Sequence, residues 1–206
     1  MSGRRRQGLP DAPADELEAE DALPWEDDEP SKADAREEAR LLQQRQEQFR
    51  AAARRIAAAF AEIPSVERIV LFGSVAVPLP MEVPRFREFR RAGIELPHEC
   101  RDIDLAVWLD DLDDIRRLSK ARSRALNALL VEAGIGVAHH QVDVFLFEPG
   151  TERYLGRLCL FNKCPKGKRE CLVPRCGEAP FLQRIEGFEF RPDALNPGRI
   201  MVLFER

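Results

Sequence analysis

The chain has 206 residues, 44% hydrophobic and 33% charged, which suffices for one ordinary domain with a real core plus appendages. Its formal net charge of -4 conceals an asymmetry: residues 1–30 hold three Arg against ten Asp and Glu, near -7, and the other 176 residues sum to about +3. No apolar run approaches a bilayer span, and Arg4-Arg5-Arg6 leads into Gln, Pro and acids, so no membrane partner, no secretory signal and a cytoplasmic location are expected.

Residues 1–30 are rich in Asp, Glu, Pro and Ala, with Trp25 as their only large aromatic. Such a segment buries too little apolar surface to offset its ordering entropy, which predicts a disordered acidic tail. It serves as a solubilising tail, as a docking peptide through Leu23-Pro24-Trp25-Glu26, or as a shield against nucleic acid. From Ser31 to Glu62 the chain lacks Gly and Pro and is dense in helix formers, with Ser31 as the N-cap and Pro64 as the stop. Phe49, Ala53, Ile56, Phe60 and Ile63 fall at alternating four- and three-residue steps and share one buried face. Upstream only Leu41 and Leu42 are large and apolar, so the first half projects or supports a partner helix, and its Gln and Arg residues read as solvated.

Three β-prone runs follow. Ile69-Val70-Leu71-Phe72 stops at Gly73-Ser74, a strand entering a turn. A glycine lets the backbone come close to a ligand, and the next serine offers a hydroxyl and an N–H to a phosphate oxygen, although most Gly-Ser turns only connect elements. In the second run, alternation puts Ile103, Leu105, Val107 and Leu109 on one face and Asp102, Asp104, Ala106 and Trp108 on the other. Paired carboxylates on a half-buried face repel and lose solvation unless a divalent cation sits between them; the alternative is that they merely end the strand at its exposed start. The third run, Val142 to Phe147, carries Asp143 where both faces would otherwise be apolar. If it neighbours the second, three carboxylates converge beside the Gly-Ser turn, the layout of two-magnesium phosphoryl chemistry.

On these residues the segment 65–148 resembles the nucleotidyltransferase superfamily that includes DNA polymerase beta and small bacterial nucleotidyltransferases. The resemblance implies an α/β fold, a small mixed sheet with helices mainly on one face, over 31–150. It implies that Gly73 and Ser74 bind the triphosphate of a nucleoside triphosphate. Asp102 and Asp104 would hold two Mg2+ ions, and Asp143 would bind one ion and assist deprotonation of the acceptor. The implied reaction moves a nucleoside monophosphate to an acceptor hydroxyl on a small molecule, protein or RNA and releases pyrophosphate. The alternatives are a catalytically inactive nucleotide- or nucleic-acid-binding module and an antitoxin that modifies a partner toxin.

The chain departs from the family in the 27 residues between Ser74 and Asp102, longer than the usual connection, and in Arg101, where the family often has Ser. This insertion, 75–101, is Pro-rich and carries Arg85-Phe86-Arg87 and Phe89-Arg90-Arg91. Aromatics interleaved with Arg stack on and neutralise a nucleotide or RNA strand, or else two phenylalanines anchor a solvated loop or short helix. Beyond it, Leu112, Ile115, Leu118, Leu126 and Leu129 predict a helix from about Asp111 to Ala133, with Gly134 as C-cap and the acids at 110–114 as capping groups. His139 and His140 precede the third strand, as an acid or ligand or as ordinary loop histidines.

The C-terminal segment, 151–206, contains Cys159, Cys164, Cys171 and Cys176 at spacings x4, x6 and x4 among turn and basic residues. Four cysteines in eighteen residues of a reducing compartment suggest a structural Zn2+ site of four thiolates, with plain reduced thiols as the alternative. Cys100 stands apart. Phe188, Phe190 and Ile200 to Phe204 look like short strands with no assigned neighbours.

Overall fold

The computed structural model of the chain describes residues 29–160, 179–185 and 187–206. The expected tail over 1–30 falls almost wholly outside these, as do Cys164, Cys171 and Cys176.

The long helix forms as predicted, α1 over Lys32–Ala61. Ser31 Oγ accepts from the backbone N–H groups of Ala33 and Asp34, and Asp34 Oδ2 accepts from the Ser31 N–H at 2.9 Å, a reciprocal cap that satisfies the helix's first donors. Its buried stripe runs from Leu42 through Phe49, Ala53 and Ile56 to Phe60. Strand β1 (Val66–Phe72) follows, then the insertion, a small hairpin of β2 (Met81–Glu82) and β3 (Leu96–Pro97) that encloses a short helix α2 (Arg87–Arg91). Next come β4 (Ile103–Leu109), helix α3 (Ile115–Ala133) and β5 (Val142–Phe147). Gly134 ends α3 at φ 66°, a left-handed cap that a side chain would strain.

β6 (Tyr154–Leu158), β7 (Leu182–Gln183) and β8 (Met201–Glu205) complete a six-stranded mixed sheet in the order β7-β6-β5-β4-β1-β8. Only β4 and β5 pair in parallel, which α3 makes possible by carrying the chain back between them. Half the strands therefore come from beyond residue 150, and the run ending at Phe204 is β8, paired antiparallel with β1.

The face assignment read from alternation in β4 holds. Ile103, Leu105, Val107 and Leu109 lie under α1 and α3 in the main core, with Ile69, Leu71, Val142, Val144 and Leu146. The opposite face carries Val70, Phe72, Ala106, Trp108, Phe145 and Phe147, covered not by an α-helix but by Tyr154, Phe190, Ile200 and a short 3-10 turn, Pro192–Leu195, that brings Ala194 and Leu195. Phe188 and Phe190 are thus not strand residues; they pack their rings against Phe145 and Tyr154. The first half of α1 does not project either. Leu42 packs with Phe89 and Leu96, so the insertion covers it, and Phe89 is a buried anchor of a short helix, not an exposed stacking platform. No helix among the described residues is long and apolar enough to cross a membrane.

Candidate functional site

Strand register brings the three runs together. Phe72, the last residue of β1, pairs across the sheet with Asp104 of β4, and Asp104 pairs with Asp143 of β5. Neighbouring residues in register point to the same face, so Asp104 and Asp143 stand side by side on the sheet face that no α-helix covers. Asp102 lies one residue before β4 and is exposed. Gly73 follows β1 at φ 75°, and a Cβ at that position would come within 2.5 Å of Asp104 Oδ2. Glycine is needed there twice over, for the left-handed backbone and for the closeness of the carboxylate.

Helix α1 secures this turn from below. Gln46, buried on the apolar stripe, donates from Nε2 to the carbonyls of Ser74 at 3.0 Å and Val77 at 2.6 Å, and Arg50 Nε donates to the Val75 carbonyl at 2.8 Å. These side chains fix the backbone that presents Gly73 and Ser74 and are not the solvated face expected of them. Gln46 could have been found from its place in the series Leu42, Gln46, Phe49, Ala53, four and three residues apart on one helical face.

The electrostatics differ among the acids. Burial, then the Asp143 and Asp102 charges, push the Asp104 carboxyl up to about 7, and it accepts no hydrogen bond among the described residues. Burial raises Asp143 as well, opposed chiefly by Arg157 of β6, whose Nη1 donates to Asp143 Oδ2 at 2.8 Å. Arg157 was overlooked in the sequence; its only signal is a charge in the middle of a β-prone run. Arg122 was overlooked too. It occupies the apolar face of α3, fully buried, with Nη2 donating to the Cys159 carbonyl at 3.2 Å and Nε and Nη1 without hydrogen-bond partners among the described residues. Burial pushes its pKa down, while nearby Cys159 and Asp143 favour its charge.

A cavity of about 380 Å³ opens beside the acids, with Ser74, Asp102 and Asp104 on one side and the insertion on the other, including Arg85, Phe86 and His98. Cys100, just outside it, is a buried thiol whose pKa burial raises, partly offset by a hydrogen bond with Ser74. His139 is partly buried, with Nδ1 unpartnered and its pKa lowered by burial and by Arg122; His140 is exposed. Cys159 is buried at the end of β6, and the other three cysteines of the expected zinc site lie outside the described residues.

Among the described residues no three ligand-type side chains stand together ready to hold a metal ion. Asp143 Oδ2 is engaged in the ion pair with Arg157. The chemistry of the set still suits a hard divalent cation: hard carboxylate oxygens, those of Asp104 half-buried, without a hydrogen bond among the described residues and destabilised by burial and by the neighbouring charges. The chain matches no family model, no curated protein and no solved structure.

Proposed function

We propose that the protein is a magnesium-dependent nucleotidyltransferase of the polymerase-beta-like fold, transferring a nucleoside monophosphate to an acceptor hydroxyl with release of pyrophosphate. The observation that carries this reading is the register that ranks Asp104 beside Asp143, with Asp104 abutting Gly73 at the end of β1. A turn able to take a phosphate, abutting one of two half-buried carboxylates in the middle of the sheet, is an arrangement that a purely structural strand end does not need.

In this reading Asp102, Asp104 and Asp143 are the residues that would hold magnesium. The metal, when bound, supplies electrostatic stabilisation of the charge on the transferring phosphoryl group and the leaving pyrophosphate. Gly73 and Ser74 orient the phosphate chain through backbone N–H groups and the Ser74 hydroxyl, on a turn that Gln46 and Arg50 keep rigid. Asp143 accepts the acceptor hydroxyl's proton, and Arg157 favours the charged form that this needs, against the burial that raises the Asp143 pKa.

One observation favours a second reading. The Asp143–Arg157 pair occupies one oxygen of the third carboxylate, as it would in a module that binds triphosphate without turning it over. Incubation with magnesium, each labelled ribonucleoside triphosphate and cell extract as acceptor source separates the two. Label on an extract component, lost in the Asp102→Asn/Asp104→Asn variant while that variant stays folded, supports the transferase. Triphosphate binding without label transfer supports the module. Unfolding of the double variant would assign the acids a structural role.

A further inference from the structure

The cavity beside the acids is bounded by the insertion, and its lining changes character from one side to the other. Toward the sheet it presents Ser74, Asp102 and Asp104; toward the insertion it presents Phe86, Arg85 and the Glu82–His98 pair, bonded at 2.8 Å through His98 Nδ1. Phe86 packs beneath against Leu42, Phe89 and Leu96, so its ring is backed by a fixed hydrophobic cluster. The Arg85 guanidinium has no ion-pair partner among the described residues. The volume, about 380 Å³, is of the size that small ligands fill.

We infer that this cavity holds the nucleoside of a purine nucleoside triphosphate, with the insertion acting as the base-selecting wall. The inference rests on the transferase reading, because the phosphate chain must begin at Ser74 for the base to reach Phe86. A phosphate anchored at the Gly73-Ser74 turn extends its nucleoside into whichever cavity shares that turn. The cavity that touches Gly73 itself, lined by Phe72, Arg191, Asp193, Ala194 and Arg199, contains none of the three acids and not Ser74, whereas the cavity beside the insertion carries Ser74, Asp102 and Asp104 on its wall. A flat aromatic face on a rigid backing binds a base by stacking, and an unpaired guanidinium beside it adds a cationic edge. The Glu82 carboxylate is an acceptor for an exocyclic amino group, which uracil lacks. The larger purine ring gains most from the stacking surface.

The test is equilibrium titration of the full chain, in magnesium buffer, with ATP, GTP, CTP, UTP and inorganic tripolyphosphate. A purine triphosphate is expected to bind roughly tenfold or more tighter than tripolyphosphate, with UTP the weakest nucleotide. Phe86→Leu keeps the apolar packing but removes the flat face; it should weaken the purine triphosphates to near the tripolyphosphate level and leave tripolyphosphate unchanged. Glu82→Gln, on an exposed two-residue strand, should alter the ranking of the four nucleotides without unfolding the chain. Equal binding of tripolyphosphate and all four nucleotides would overturn the inference and leave the phosphate site standing. A purine preference untouched by both variants would also overturn it, by placing the base elsewhere. Absence of binding by every probe would remove the transferase reading itself, and the inference with it.

Discussion

Asp104 costs the fold stability when it is charged, and the cost has a definite dependence on pH. Its carboxyl titrates at about 7 in the folded chain, against about 3.9 for an unperturbed aspartate. Below the unfolded value both states are protonated and the residue contributes nothing. Between the two values the unfolded chain releases its proton while the folded chain keeps it, so stability falls as pH rises; above about 7 the penalty is constant. Each unit of elevation corresponds to about 1.4 kcal/mol, a few kcal/mol in all. Asp104→Asn, in magnesium-free buffer, is therefore expected to melt above the wild type at pH 8, with the advantage vanishing toward pH 4. Magnesium at pH 8 should raise the wild-type Tm and leave the variant's Tm nearly unchanged. Thermal melts at the two pH values check both; a variant less stable than the wild type at pH 8 would show that the charged carboxylate is satisfied in a way its surroundings do not reveal.

At the scale of the element, α3 raises the question of a charge on an apolar face. Ile115, Leu118, Leu126 and Leu129 are buried on it, and Arg122 completes the series with a fully buried guanidinium bonded to one carbonyl. Such a group retains most of its desolvation cost, and a hydrophobic side chain of similar length does as well or better. Arg122→Met is expected to be neutral or to stabilise by up to about 2 kcal/mol, measured by urea denaturation; a loss above about 2 kcal/mol would mean that the guanidinium makes an interaction the helix needs. The same residue shows where sequence reading fails. Periodicity located α1 and α3 and alternation sorted the faces of β4, because there side chains separate by face, whereas β1 and β5 showed as short continuous apolar runs buried on both faces. Arg122, Arg157 and Gln46 are polar groups at buried positions, where a pattern built on hydrophobicity registers an exception without saying what it does. Strands β6 and β8 are short and pair with bulges, so their neighbours follow from the three-dimensional path and not from local pattern. Of the candidate site, the acids and the turn were legible because each interrupts or ends an apolar run, and Arg85 and Phe86 because aromatic and Arg residues alternate there, whereas the meeting of these two residues with the acids at one cavity follows only from the fold.

The molecule as a whole depends on its last twenty residues for both edges of the problem its sheet poses. Two helices cover one face, but the other, which carries the acids at one end, is closed by Phe190 and the turns that follow it, and β1 is shielded at its outer side by β8. Phe190 is central to that closure. Its ring lies 4.8 Å from Phe147, 5.6 Å from Phe145, 5.7 Å from Phe72 and 5.9 Å from Tyr154, centroid to centroid, so it links three strands of the sheet. Among the described residues Phe188 makes ring contacts with Phe145 and Tyr154 alone, and it is 39% exposed. Removing a partly buried ring with four aromatic neighbours costs about 3 kcal/mol, and removing a rim ring about 1 kcal/mol or less. Phe190→Ala is thus expected to lower the midpoint of urea unfolding far more than Phe188→Ala. Because Phe190 contacts Phe147, on which Trp108 stacks, the loss should appear equally in far-ultraviolet circular dichroism and in the fluorescence of Trp108, read in a Trp25→Phe background. Coincident transitions would mean that the C-terminal cover and the sheet unfold as one cooperative unit. A fluorescence change that precedes the loss of secondary structure would mean instead that the cover opens on its own, exposing the face that bears the acids.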